Sequence, residues 1–246
     1  MRTVGIIGGT GLNEIDGVDV VERRELSTPW GRPSAPAQRL AWPDGSDCWF
    51  LPRHGDGHTI APHRINYRAN IDALRLLGVT HVVSVAAVGG IAPGNRPGDL
   101  ALVDDLIDYT WGRAHTFADG VAAPLRHIEF APPFDPQWRQ VILNVAGEVG
   151  VAIDHHAVLG VTQGPRLETA AEIRRLAHDG CSLVGMTTMP EAALAMEAGL
   201  AYATLAVVVN PAAGTVDGSI HAAIEASLDM GMAQVRRILT HLVAAD

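Results

Sequence analysis

Lysine is missing from this 246-residue chain: all 18 of its basic residues are arginine. That excludes a Schiff-base lysine, with it pyridoxal-phosphate chemistry, and the lysine of a Walker-A phosphate loop. Cysteine is scarce. Cys48 and Cys181 offer neither the spacing of a metal site nor the number for a disulfide framework, which suits a reducing cytosol and predicts a cytoplasmic protein. Surplus positive charge is also lacking, since 27 Asp and Glu leave a net charge of −9. Nucleic-acid binding needs clustered cations to replace counterions, so nucleic acid is not an expected partner. No apolar run approaches the ~20 residues of a membrane helix, and no membrane partner is expected. The opening residues, Met1 to Gly8, lack the charged start, long apolar stretch and cleavage site of a signal peptide. Charged residues make up only 18% of the chain against 48% apolar ones, so it can bury a large core and is no disordered polymer.

What is present alternates. Short Val/Ile/Leu/Ala runs bounded by Gly, Pro or Asp recur at Thr3–Gly8, Cys48–Pro52, His81–Val88, Leu100–Val103, Val158–Val161, Leu183–Met186 and Tyr202–Val209. Such runs read as strands buried on both faces. Helical period marks Tyr67–Leu77, Trp138–Val149, Glu168–Ala177 and Glu191–Ala198. Near the end, Ile224, Leu228, Met232, Val235, Leu239 and Leu242 step by three or four, which predicts an amphipathic helix. The expected fold is α/β, one domain over residues 1–246, with a mixed twisted sheet flanked by helices. Residues 28–38 and 109–136, dense in Pro, Trp and Gly, read as long surface loops.

Six strand ends carry polar residues. Gly8-Gly9-Thr10-Gly11 allows a tight turn whose N–H groups and hydroxyl face an anion, or is a plain strand-to-loop turn. Its spacing is not that of a dinucleotide fingerprint. Arg53-His54 offers a fork of donors suited to phosphate, with a surface pair as the plainer alternative. Ala86-Ala87-Val88-Gly89-Gly90 is a strand ending in small residues, which admit a flat ligand or simply pack tightly. Glu168 is either a carboxylate that accepts N–H donors from a base or an acid favoured at a helix start. Thr187, before Pro190 and Glu191, reads as a second anion-binding hydroxyl, as a helix N-cap, or as both. Asn210-Pro211 is a turn or a donor–acceptor pair for a heterocycle. No metal-ligand cluster and no specified nucleophile accompany them. The pattern suggests a site for an anion and a polar planar group, gathered at strand carboxyl ends.

At these loops the chain resembles the trimeric nucleoside phosphorylases, in the branch of methylthioadenosine and methylthioinosine phosphorylases. The carrying segments are Ile6–Leu12, Thr28–Gly31, Arg53–Gly55, Asn66–Asn70, Gly164–Arg166 and Gly185–Glu191, followed by the Asn210 loop. The resemblance implies that phosphate attacks C1′ of a purine nucleoside and releases the base and a ribose 1-phosphate. It implies that Thr10, Arg53, His54, Thr187 and the strand at Ala86 and Ala87 hold phosphate. Met186 would lie against the ribose. Val88, Gly89, Leu167, Glu168, Asn210, Pro211 and Ala212 would face the base, with Asn210 and His54 as the catalytic pair. No metal or organic cofactor is implied, and inorganic phosphate is the co-substrate. Family members form trimers or pairs of trimers in which a neighbour's loop covers the 5′ pocket, so a homotrimer or dimer of trimers is expected, with 109–136 as the contact loop.

Two departures bear on the substrate. Adenine-specific members carry Ser at the position of Glu168, Asp at that of Asn210 and another Asp at that of Ala212. Glu168 and Asn210 resemble the pair in phosphorylases of inosine and guanosine. A 6-oxopurine carries N1–H, which a carboxylate accepts, whereas adenine presents a bare acceptor there. Such mismatches cost roughly 1–3 kcal/mol each, enough for a tenfold preference. His221 falls at the place where enzymes of 5′-hydroxyl nucleosides have His, which favours inosine or guanosine. The loops otherwise look closer to the methylthio branch, so S-methyl-5′-thioinosine or S-methyl-5′-thioadenosine is the alternative. A nucleoside hydrolase would need a carboxylate near C1′ that the sequence does not identify. A non-catalytic nucleoside binder leaves the joint presence of Thr10, Arg53, His54 and Thr187 unexplained.

Overall fold

A computed structural model describes residues 2–9, 18–120, 124–215 and 224–244. Its centre is β5 (His81–Gly90), which runs parallel to the long β11 (Ala201–Pro211) along one edge. The other edge of β5 is shared. Its first half pairs parallel with β1 (Val4–Gly8), and its last two residues pair antiparallel with β10 (Leu183–Gly185). Beyond β1 follow β4 (Asp47–Pro52), β3 (Ala37–Ala41) and β2 (Asp19–Arg24). Beyond β10 follow β9 (Val158–Val161) and β7 (Asp105–Asp108), while β6 (Leu100–Leu102) and β8 (Ile153–Asp154) extend the β11 side. The sheet is mixed, as expected.

Alternation along the strands divides the core in two. Ile7, Val82 and Val208 face one side with α1 (Tyr67–Leu76) and α4 (Thr188–Glu197). Their neighbours Ile6, Val83 and Val207 face the other with α2 (Pro136–Glu148) and α5 (Ile224–Ala244). On α5 the periodic residues Met232, Val235, Leu239 and Leu242 are buried. Among the described residues no helix is long and apolar enough to cross a membrane. Cys48 and Cys181 are separate buried thiols.

Two helix starts beside the site differ from the sequence reading. The helix expected from Glu168 begins at Ala170 as α3 (Ala170–His178), because Thr169 caps it and exchanges bonds with Glu172 in a capping box. Glu168 is thereby left on the preceding loop. The helix expected from Glu191 begins three residues earlier, at Thr188. Asn66, part of the Asn66–Asn70 segment, accepts from the Ala69 N–H and donates to the Trp30 carbonyl at 2.8 Å, so it caps α1 and ties down the loop after Thr28.

Candidate active site

Between its partners β1 and β10, the edge of β5 from Val85 to Val88 has no strand beside it among the described residues. A cavity of about 640 Å³ opens there. Segments that follow β1, β4, β9, β10 and β11 surround it, each leaving the carboxyl end of its strand. Arg53, His54, Ala86, Ala87, Val88, Gly89, Leu167, Glu168, Met186, Thr187, Asn210 and Ala212 all line this one space. Arg53 and Glu168, far apart in sequence, thus face one cavity. Pro211 is not on the wall; its carbonyl accepts a 2.7 Å bond from Asn210 Nδ2 and fixes that amide. Thr10 and His221 lie outside the described residues.

Arg53 is 1% exposed. Its Nε and Nη2 meet the Glu191 carboxylate at 2.7 and 2.8 Å, and Nη2 also reaches Ser84 Oγ and the Ile7 carbonyl. Nη1 donates to the Val85 carbonyl at 2.9 Å, which leaves one of its two hydrogens for an anion. Burial opposes the charge, but Glu191 more than restores it and holds the guanidinium above its ordinary range. The Val85 carbonyl faces the gap in the sheet, so strand alternation turns the Ala87 N–H to the same side. Ala87 is the one exposed residue within β5.

Thr187 stands at the N-cap of α4, yet its hydroxyl makes no capping bond. The plain capping role is therefore not the one it plays, and the hydroxyl remains for a ligand beside the first N–H groups of the helix. His54 Nδ1 lies 2.8 Å from the Ile60 carbonyl, which can only accept, so Nδ1 carries the proton. Burial draws the imidazole down to about 4, against the opposing pull of that carbonyl bond. A neutral ring with Nδ1–H has a bare Nε2. His54 therefore offers a hydrogen-bond acceptor on its second ring nitrogen. The partner of Nδ1 is the Ile60 carbonyl, which sequence spacing does not reveal. His58, unmarked by the sequence reading, stacks on His54 with ring centres 4.2 Å apart and also lines the cavity.

On the opposite wall, Glu168 Oε1 accepts a 2.5 Å bond from Thr162 Oγ1, and Oε2 is left for a donor in the cavity. Asn210 follows a register shift between Val208 and Asn210, which brings it opposite Gly89. A Cβ on Gly89 would lie 3.0 Å from Val184 Cγ1, so the small residue lets Val184 of β10 pack closely, and the Asn210 amide lies beside it. Leu228 and Met232 of α5, with Ile60 and Pro62, add apolar wall that the sequence reading did not assign to the site. Among the described residues no three His, Cys, Asp or Glu side chains gather as metal ligands. The cavity thus joins anion donors at one end to a carboxylate and an amide at the other.

The model of the phosphorylase superfamily matches residues 3–244. A protein of Pseudomonas syringae pv. tomato named "Probable S-methyl-5'-thioinosine phosphorylase" is 44% identical over 247 residues, covering 100% of both chains. One of the same name from Xanthomonas campestris pv. campestris is 48% identical over 214 residues, 87% of this chain and 85% of that one. The "6-oxopurine nucleoside phosphorylase" of Pyrococcus furiosus is 39% identical over 219 residues, 87% of this chain and 81% of its own. The solved methylthioadenosine phosphorylase of Schistosoma mansoni, in complex with adenine, superposes with a TM-score of 0.91 at 31% identity, covering 100% of this chain and 92% of that one.

Proposed function

Since the chain belongs to the phosphorylase superfamily and is a phosphorylase of purine nucleosides, we propose that its substrate is S-methyl-5′-thioinosine. Phosphate would add to C1′ as the C1′–N9 bond breaks, giving hypoxanthine and 5-methylthioribose 1-phosphate. The observation that carries the base choice is that Glu168 and Asn210 face the same cavity as Arg53, His54 and Thr187. Glu168 Oε2 accepts N1–H of a 6-oxopurine, while Asn210 donates to O6 or N7. The relatives carry the choice at the sugar: identities of 44–48% to the proteins named for methylthioinosine exceed the 39% to the Pyrococcus phosphorylase. That ordering supports the methylthio alternative over the expectation of inosine or guanosine drawn from His221. Leu228 and Met232 give the cavity an apolar flank that suits a methylthio group.

In this reading Arg53 Nη1, the Ala87 N–H and the Thr187 hydroxyl hold phosphate, and His54 Nε2 accepts a hydrogen from it or from the sugar. The placed anion stabilises the cationic sugar of the transition state and then captures its carbon. Asn210 meets the charge that builds on the departing purine. No cofactor is called for. A homotrimer, with the 109–136 loop at a neighbour's pocket, accompanies this reading by analogy; Trp111 in that loop is 72% exposed. The test is phosphate-dependent release of base from methylthioinosine, methylthioadenosine, inosine, guanosine and adenosine. The highest kcat/KM on methylthioinosine supports the reading, and inosine preferred over its methylthio analogue overturns it. Ordinary 6-oxopurine nucleosides are the second reading, favoured by the Pyrococcus relative.

A further inference from the structure

Arg113 sits in the irregular stretch after β7 and is 8% exposed. Among the described residues its hydrogen bonds end on neutral oxygens. Nη1 donates to the Met186 carbonyl at 2.9 Å, the Met189 carbonyl and the Tyr67 hydroxyl. Nη2 donates to the carbonyls of Thr162 at 3.2 Å and Gln163 at 2.9 Å, and Nε to Gln163 Oε1 at 3.1 Å. The buried guanidinium is thus used as a fork of donors rather than as half of an ion pair.

The bridged segments explain the use. β9 and β10 run side by side up to the pairing of Val161 with Gly185, and the Thr162 N–H makes one more bond to the Gly185 carbonyl. There the ladder ends and the chains diverge. The chain after β9 carries Glu168; the chain after β10 carries Met186 and Thr187. Arg113 spans the fork where they part. Thr162 extends the link, since its carbonyl accepts from Arg113 while its hydroxyl donates to Glu168 at 2.5 Å.

We propose that Arg113 is a positioning residue for the reaction, one that fixes the spacing between the Glu168 loop and the Met186–Thr187 turn. It touches neither base nor phosphate. It sets the distance between the groups that do, with Thr162 as its relay to the carboxylate. The inference rests on the reading of the cavity as a site for phosphate and a 6-oxopurine nucleoside. A lysine keeps the charge but has one nitrogen, which cannot bridge both segments.

The experiment is steady-state kinetics of Arg113→Lys and Thr162→Val, with phosphate varied and with the 6-oxo and 6-amino forms of one nucleoside. Circular dichroism checks folding. For Arg113→Lys the expected result is a kcat lower by about tenfold or more and a phosphate KM raised severalfold, because small misplacements of bound reactants cost large factors in rate. For Thr162→Val it is a fall of about fivefold or more in the 6-oxo over 6-amino ratio, from loss of one bond to the reading group. A merely structural Arg113 would lower the melting temperature and leave these constants alone, and a folded Arg113→Lys with wild-type kcat and phosphate KM overturns the proposal. If Arg113→Lys does not fold, an unchanged ratio in Thr162→Val overturns it. A wild-type enzyme that shows no preference for 6-oxo nucleosides sinks the base reading instead, and the kcat and phosphate arm of Arg113→Lys still decides this one.

Discussion

Arg53 and Glu191, 138 positions apart, meet in a buried ion pair, Nε to Oε2 at 2.7 Å, with both side chains at most 1% exposed. Ser84 Oγ and the Tyr202 hydroxyl also donate to Glu191 Oε1, at 2.9 and 2.8 Å. Glu191 therefore decides which hydrogens Arg53 has left for an anion. Glu191→Gln removes the charge and leaves a buried guanidinium uncompensated, a change that costs roughly 3–5 kcal/mol. The expected thermal midpoint falls by roughly 6–20 °C, and the phosphate KM rises. Denaturant unfolding and phosphate-varied kinetics check both. A loss under about 1 kcal/mol, within the range of exposed pairs, would show that the charge of Arg53 is balanced elsewhere.

Glu191 also marks the limit of what the sequence reveals. Locally it is an acid in the first turn of a helix, behind Pro190, and nothing nearby points to a partner just past the end of β4. Strands buried on both faces, such as β1, β4, β5 and β11, were legible because nearly all their residues are buried and their sequences are dominated by apolar residues. β2 was not: Asp19–Arg24 is an exposed edge strand whose charged residues carry no periodic signal. β3, β7 and β8 were missed as well, because Gln38 and Arg39, Asp105 and Asp108, and Asp154 leave them no continuous apolar run. Polar residues at strand ends were legible as a set, since strand ends gather ligands. Arg113 was not, because a loop without periodicity gives no hint of where a side chain turns. The neutral acceptor state of His54 depends on a carbonyl six residues on, which only the backbone path brings near.

Base selection should move with two side chains. Asn210→Asp combined with Glu168→Ser replaces the acceptor proposed for N1–H and the amide proposed to read position 6 with groups that suit an amino-purine. The expected inosine-type over adenosine-type efficiency ratio falls by about tenfold or more. Parallel kinetics on methylthioinosine and methylthioadenosine measure it. An unchanged ratio would mean that neither side chain reads the base.

The protonation of His54 has a sign that can be tested. An unfolded imidazole titrates near 6.5, whereas the buried ring titrates at about 4. Between those values the unfolded chain binds the extra proton, so stability rises with pH there. The contribution is fully present above about pH 6.5 and is lost progressively as pH falls toward about 4. His54→Asn cannot titrate. Its unfolding free energy, measured at several pH values across that window, should fall less steeply on the acid side than that of the wild type. Equal slopes would mean that His54 is not held neutral in the folded state.

Gly231 tests how closely α5 is pressed to the sheet. A Cβ there would lie 2.2 Å from Val207 Cγ1. Val207 is fully buried in β11 between Ala87 and Leu100, and a β-branched side chain in a strand has little freedom to turn aside. Two effects oppose each other in Gly231→Ala. Helix propensity favours alanine by about 1 kcal/mol. Overpacking costs about 1–3 kcal/mol, and a contact this short belongs at the upper end. The net expectation is a loss of about 2 kcal/mol, or a melting temperature lower by roughly 4–8 °C. The displaced helix carries Leu228 and Met232 away from the cavity, so the nucleoside KM should rise while the phosphate KM holds. A variant as stable as the wild type, with the same nucleoside KM, would show that α5 can shift without cost and that its apolar residues do not shape the sugar pocket.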